Sequence, residues 1–433
     1  MTSNSTPSVS ALGNLKTDVL VLGGGVVGTT VALELQRAGR SVTLIDRGEI
    51  GQACSLANAG WVTPCFAMPL PQPGMFLKSL GWLLDPQSPL HIQPRLDITL
   101  LRWLTRFLFA MNRTTMLNSI AVLTELSKYS LDFYAGLAVR TPELGFEKKG
   151  LLMVSATEAG VAGARAEMEL MAARGIPGKA MSRDELLAFE PTFRPLIRGG
   201  VYFPEEAQIE PYPTSLAITD EFKKLGGRVL SRHEVYDFDI TEGPAPKIRS
   251  LLTTQGRIEC DLFVLASGSW TLELTRKLGR GIPVLGGKGY SMTFRGNTRK
   301  PQRSIMLVDR KIAITPFADR LRVAGTLELV DQDYSISPAR LEAVRRGAHE
   351  YLDLGGGEDE SPADIWRGLR PCTPDGVPVV GFSRRLSNLF YCTGHQMLGL
   401  QSAPGTARLA GDIILKRPPI VDPAPFGAER FGG

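Results

Sequence analysis

Residues Asp18 to Asp46, DVLVLGGGVVGTTVALELQRAGRSVTLID, constrain the fold more tightly than any other stretch. Val19 to Leu22 is a short apolar run of the kind buried in a parallel sheet. Gly23, Gly24, Gly25 and Gly28 follow, and then a helical pattern sets Val27, Val31, Leu35 and Ala38 on one face. Gly39 stops that helix, and Val42 to Ile45 predicts a second buried strand ending at Asp46. Strand, glycine turn, helix, strand and acid in this order predict a mononucleotide-binding βαβ unit. Gly23 permits the tight turn, Gly25 lets backbone N–H groups approach a pyrophosphate, and Gly28 lets the helix lie close on the strand. The helix N-terminus adds partial positive charge to the phosphate site. Asp46 is placed to accept hydrogen bonds from an adenosine ribose and disfavours a 2′-phosphate, so FAD or NAD is expected rather than NADP.

A chain of 433 residues is too long for one small core and predicts two domains or one elaborated α/β unit. The formal net charge of +5 comes from basic and acidic residues spread along the chain, which leaves no nucleic-acid footprint. Cys54, Cys65, Cys260, Cys372 and Cys392 are odd in number and form no CxxC, and the 4 histidines lack ligand spacing. A reducing compartment with no disulfide frame and no metal site is therefore expected. Residues 1 to 16 are polar, lack a secretory h-region, and are read as a disordered tail.

No charge occurs between Gly51 and Leu77, and recurring proline and glycine make this an ordered loop rather than a membrane span. Within its ACSLANAGWVTP segment, Ser55 and Asn58 offer hydrogen bonds, while Ala57, Ala59 and Gly60 are small enough for a flat ring to approach. Further on, WRGLRPCTPDGVPVVG (366 to 381) and YCTGHQMLGLQSAPGTARLAGDIILK are the most specific motifs after the first. With GGGVVG, the LIDR that ends the second strand, and SLANAG before the Pro-rich loop, the chain resembles the FAD-dependent D-amino-acid dehydrogenases. These lie within the D-amino-acid and glycine oxidase-like (DAO) flavoproteins, and the resemblance covers roughly residues 17 to 418.

That resemblance implies a Rossmann-like FAD-binding domain from 17–70, 204–282 and 365–418. A discontinuous α+β substrate domain would come from 71–203 and 283–364, built on a mostly antiparallel sheet, with a tail at 419–433. It implies FAD contacts from Gly23, Gly25, Val27, Gly28, Asp46 and Arg47, and from Ser55, Asn58, Ala59 and Gly60. Val235 would meet adenine through its backbone. The small-residue turn Ala266, Ser267, Gly268 would pack on the cofactor, as would Gly394, His395, Leu398, Gly399 and Leu400. Arg370 matches the arginine that grips the substrate carboxylate, and a planar guanidinium can do so with two parallel hydrogen bonds. An ion pair of Arg370 with Asp375 or another acid is the structural alternative. Tyr290, on a strand expected near the pocket, is a second candidate for substrate contact.

Period-two alternation in KGYSMTF, KIAITPF and RLRVAGTLEL predicts antiparallel strands. A helix is expected from about Ser402, capped by that serine and with Pro404 in its first turn; its dipole would stabilise negative charge on the reduced flavin. His395 is read equally as a contributor there and as a packing residue. In 100–111, Leu100, Leu101, Trp103, Leu104, Phe107, Leu108 and Met111 follow helical spacing, with Arg102 and Arg106 on another face. That mixture suits either a lid helix or peripheral contact of 75–111 with the inner membrane, and a cytoplasmic protein is otherwise expected. The implied chemistry is oxidative deamination of a D-amino acid, with hydride passing from Cα to flavin N5 and no catalytic side chain required. The implied electron acceptor is a quinone or the respiratory chain. A D-proline or D-hydroxyproline dehydrogenase and an O₂-using glycine or secondary amine oxidase remain open. A nucleotide-binding regulator, the non-enzymatic alternative, would not need Arg370 beside a flavin-facing loop.

Overall fold

The computed structural model describes residues 15–74, 90–92, 97–279, 281–296, 299–355 and 361–431. The opening stretch folds as its pattern predicts, into strand Leu15–Leu22, helix Val26–Arg37 and strand Val42–Ile45. The first strand starts inside the expected tail, where Leu15 and Lys16 pair with Ile258 and Glu259; residues 1–14 lie outside the described residues. The two strands belong to a sheet whose parallel run is Arg228–Leu230, Val42–Ile45, Leu15–Leu22, Gly256–Leu265 and Leu389–Thr393. An antiparallel hairpin, Val235–Ile240 with Ile248–Thr253, extends from the first half of Gly256–Leu265. Parallel strands need cover on both faces, and Val19, Leu20 and Val21 are all 0% exposed, whichever way their side chains point.

A second sheet runs in the order Asp364–Cys372, Leu285–Arg295, Arg320–Val330, Ile312–Pro316, Ser304–Leu307, Leu151–Ser155, Gly199–Phe203 and Lys179–Ser182. It is mostly antiparallel, as the alternation predicts. Two pairings are parallel and make it mixed: Ser304–Leu307 with Leu151–Ser155, and Leu90–Ile92 with Arg320–Val330. The Arg370 strand, Asp364–Cys372, pairs with Leu285–Thr293 in this second sheet, and not with the nucleotide-binding sheet to which 365–418 was allotted. Its sequence, DIWRGLRPC, shows no apolar alternation, so periodicity could not assign it. Residues near the C-terminus are packed rather than trailing. Phe426 and Ala428 are buried, and Arg430 pairs with Asp375 at 2.7 Å.

Helix Gly399–Ile414 lies against the long helix Arg113–Arg140. It starts before Ser402, which is not its cap; the Ser402 hydroxyl donates back to Leu398 O at 2.7 Å. Pro404 falls inside the helix and has no N–H for Leu400 O. The buried Tyr134 hydroxyl donates to that carbonyl instead, at 2.8 Å. At Gly405 a Cβ would stand 2.2 Å from Leu126 O, so only glycine allows the two helices to approach this closely.

Helix Ile98–Ala110 is capped by Asp97, whose side chain accepts from Thr99 N. It buries Leu100, Trp103 and Phe107 and turns Ile98, Leu101, Leu108 and Phe109 outward. Arg102 and Arg106 lie on its exposed side. Residues 75–89 of the proposed membrane-contacting stretch lie outside the described residues. Among the described residues, no helix is long and apolar enough to cross a membrane.

Candidate active site

The glycine turn is shaped by sterics that its members do not share. A Cβ on Gly28 would stand 1.8 Å from Gly23 O, and one on Gly23 would stand 2.4 Å from Ala266 O. Packing of the protein on itself therefore demands glycine at both. At Gly25 the nearest atom to such a Cβ is Ser55 Oγ at 3.6 Å, an ordinary contact. Gly25 is thus open on the side where a pyrophosphate would need it bare. It is also the N-cap of helix Val26–Arg37 and brings no capping side chain; Ser55 Oγ accepts from Val26 N at 2.9 Å.

Asp46 accepts from Gly24 N at 2.6 Å and Gly48 N at 2.8 Å. Two carboxylate oxygens offer about four acceptor sites, so capacity remains for ribose hydroxyls. Arg47 lies over the Trp270 ring, 5.2 Å from its centroid, and 3.6 Å from Glu234. Val235 starts the adjoining hairpin, and Ala266 N donates to Leu22 O, placing the turn 266–268 beside the first glycine. The donors, the open glycine and the acid fit the diphosphate and adenosine ribose of a dinucleotide.

The second sheet holds the loop 54–60 by its carbonyls. Ser291 Oγ donates to Ala57 O at 2.8 Å, Arg322 Nη1 to Asn58 O at 3.0 Å, and Thr315 Oγ1 to Ala59 O at 2.7 Å. Three strands thus secure three successive carbonyls. Cys54 Sγ donates to Leu369 O at 2.9 Å, and burial pushes that thiol up to about 11, partly offset by the Arg370 guanidinium. The asparagine of the loop closes on itself, its Oδ1 accepting from Gly60 N at 2.9 Å.

Arg370 lies on the face of the sheet that carries Ser291 and Arg322, so it points toward the loop 54–60 rather than away from it. Its pair partner is Gly287. Its guanidinium reaches along the sheet to cover Gly289, where a Cβ would stand 2.1 Å from Nη1. Opposite Gly289 the neighbouring strand carries one residue too many: Lys288 pairs with Glu328 and Tyr290 with Gly325, leaving Thr326 and Leu327 against one glycine. Thr326 takes φ +65° in this bulge, a conformation unfavourable for a β-branched residue. The Thr326 carbonyl accepts from Arg370 Nη1 at 2.7 Å. Among the described residues no carboxylate pairs with Arg370; Asp375 is held instead by Arg430. Burial lowers the pKa of Arg370 from its ordinary value, yet a guanidinium stays charged at neutral pH. With no acid beside it among the described residues, this partly buried cation has N–H donors left to offer an anion.

Tyr290 does not share this face. Adjacent residues on a strand alternate, so it projects opposite to Gly289, is 1% exposed, and its hydroxyl accepts from Ser337 N at 3.3 Å. Burial and nearby Glu328 hold its pKa well above the ordinary phenol value. The expectation that Tyr290 touches substrate fails because the pleat sends it under the sheet, beside Lys288.

The 394–400 segment joins the two sheets. His395 bridges to Cys372, and Gln396 N donates to Pro371 O at 2.9 Å. Gly394 takes φ +82° there, with Thr373 Cγ2 where a Cβ would stand. His395 is buried against Thr406, Nε2 to Oγ1 at 3.2 Å, and burial pushes it down to about 3. Its ring is therefore neutral where it meets Thr406. Leu398, Gly399 and Leu400 form the start of helix Gly399–Ile414, whose first turn has no side-chain cap. Cys54, Gly289 and Thr326 were missed from sequence, and only their glycine- and cysteine-containing motifs hinted at them. Among the described residues, no cluster of acids, histidines and cysteines could hold a metal.

Residues 18–413 match the family model described as FAD dependent oxidoreductase. The chain is 33% identical over 429 residues to a D-amino acid dehydrogenase of Sinorhizobium medicae, covering 96% of this chain and 100% of that one. A D-amino acid dehydrogenase of Vibrio atlanticus is also 33% identical, over 92% of this chain and 95% of the other. In fold it is similar to a glycine oxidase from Geobacillus kaustophilus, with TM-score 0.76 and 22% identity over 97% of this chain and 100% of that one. An L-proline dehydrogenase from P. horikoshii gives TM-score 0.73 at 18% identity, over 97% and 98% of the two chains.

Proposed function

This chain belongs to the FAD dependent oxidoreductase family, and from that premise we propose that it oxidises D-amino acids to 2-oxo acids and ammonia, passing the electrons to a quinone or respiratory acceptor. The observation that carries this reading is the Arg370 guanidinium, which has no carboxylate partner among the described residues and is laid on the sheet face that grips the loop 54–60. The relatives named D-amino acid dehydrogenase support the substrate class.

FAD is the cofactor, and when bound it supplies the two-electron acceptor. Gly25 and the start of helix Val26–Arg37 would hold its diphosphate, Asp46 its ribose, and the loop 54–60 with the 394–400 segment its ring system. Arg370 binds the substrate carboxylate through two parallel N–H···O bonds, with the Thr326 carbonyl keeping Nη1 in place. This fixes Cα, and orientation is the main contribution the chain makes. Among the described residues around Arg370 no group is a competent base: burial raises the Cys54 thiol to about 11 and pushes His395 down to about 3. The substrate amine therefore loses its proton to solvent before Cα is oxidised. The imino acid product hydrolyses to a 2-oxo acid and ammonia, or stays cyclic when the substrate is proline-like.

The exposed Ile98, Leu101, Leu108 and Phe109, beside Arg102 and Arg106, support peripheral contact with an anionic membrane surface near that acceptor. The test is anaerobic mixing of the holoenzyme with D- and L-amino acids, D-proline and glycine while the flavin band near 450 nm (roughly, a general flavin property) is followed. Bleaching by D-amino acids, then reoxidation by a quinone analogue faster than by air, is expected. Bleaching by L-amino acids or glycine alone overturns the substrate, and rapid peroxide release in air overturns the acceptor.

A further inference from the structure

Alternation along Asp364–Cys372 puts Trp366, Gly368 and Arg370 on one face of the strand. Gly368 pairs directly with Gly289, and Trp366 with Ser291. A Cβ on Gly368 would stand 2.1 Å from Cη2 of the Trp366 ring, as one on Gly289 would stand 2.1 Å from Arg370 Nη1. The indole and the guanidinium therefore run toward each other and meet over a single rung made of two glycines. Neither glycine contributes a side chain, so the tips of both groups rest directly over backbone. Both are half-buried on a face that elsewhere is closed by the loop 54–60.

From this juxtaposition we infer that Trp366 is the wall that receives the substrate side chain, selecting neutral apolar or ring-bearing amino acids over small and acidic ones. The inference rests on Arg370 holding the substrate carboxylate. A carboxylate on that guanidinium sits about 2.8 Å from its nitrogens. The substrate Cβ is then two bonds beyond the carboxyl carbon, about 1.5 Å each. Residues paired directly across two strands have Cβ positions about 5 Å apart. That reach brings the first side-chain atoms of a bound amino acid over Gly368, against the indole. An aromatic face offers contact area with few rotamers to freeze and gives an acidic side chain no counter-charge.

The test compares wild type, Trp366→Ala and Trp366→Phe holoenzymes on D-alanine, D-phenylalanine and D-aspartate. Flavin content and thermal midpoint serve as fold controls. For Trp366→Ala, kcat/KM on D-phenylalanine is expected to fall roughly 10- to 100-fold, mainly through KM. On D-alanine the expected change is under about 3-fold, and Trp366→Phe should recover most of the loss. Titration with benzoate, followed through the perturbation of the flavin absorbance band, should show a weaker Kd in the alanine variant. An equal loss on all three substrates, or none, overturns the inference while Arg370 keeps its role. A wild-type flavin that no D-amino acid bleaches overturns both.

Discussion

Glycine does opposite work at the two ends of this site. In the turn after the first strand, the atom that would meet a Cβ on Gly28 is a backbone carbonyl, 1.8 Å away and unable to move. On the substrate face, the atom that would meet a Cβ on Gly289 is the tip of Arg370, 2.1 Å away on a flexible side chain. The first glycine makes the protein foldable around a cofactor; the second makes room for one of the protein's own groups. Substitution should therefore fail differently in the two places, by loss of structure in one and by loss of aim in the other.

The largest effect is expected at Gly28→Ala. Overpacking against a fixed carbonyl costs about 1–3 kcal/mol or more, and here it pries the helix from the strand that positions the diphosphate. Purified protein should carry less than roughly a tenth of the wild-type flavin and melt earlier, as read from absorbance and calorimetry. A yellow, fully loaded variant would show that the turn tolerates a shift which its geometry denies.

Legibility in the sequence follows the same division. The glycine turn, Asp46 and the helix after them are local, so spacing along one stretch of chain was enough to place them. Arg370 was legible through the motif it sits in. Its surroundings were not, because Gly289, Thr326 and Arg370 are joined only by strand register, and nothing in one sequence states register. Tyr290 shows the cost: it lies on the strand that pairs with Arg370's, but a one-residue change of parity sends a side chain through the sheet. The start of helix Gly399–Ile414 was misplaced for a related reason. Pro404 normally marks a first turn, and the hydroxyl of Tyr134 that excuses it lies on another helix.

On the substrate face, Arg370→Met should leave flavin bound and lower kcat/KM for D-amino acids by roughly 10²- to 10³-fold, mostly in KM. That is the consequence of losing a charge-assisted pair inside a partly buried site, and steady-state kinetics reads it directly. Gly289→Ala should come next, lowering kcat/KM roughly 10-fold, in keeping with a displaced rather than a missing guanidinium. Its thermal midpoint should stay close to wild type, in contrast with Gly28→Ala. Combining Gly289→Ala with Arg370→Met should cost no more than Arg370→Met alone, since the glycine acts only through the arginine. Additive losses would mean that Gly289 serves the site by some route other than room for that side chain.

His395 sits where the two regions are joined, and the smallest expected effect belongs there. Its backbone bridges to Cys372, just beyond Arg370, while its ring packs on Thr406 of the following helix. Burial pushes it down to about 3 from an ordinary 6.5. Below pH 6.5 the unfolded chain binds a proton here that the folded chain refuses, so stability is full above that pH and falls as pH drops toward 3. One such group contributes a slope of up to about 1.4 kcal/mol per pH unit. His395→Asn removes the titration while keeping a polar group near Thr406. Urea midpoints measured at several pH values between neutrality and the acid limb should then fall less steeply for the variant than for wild type, and kcat should keep its pH profile because the ring carries no proton for the reaction. An unchanged acid slope would mean that His395 is reached by water in the folded state. The seam between nucleotide turn and substrate face would then be looser than its hydrogen bonds indicate.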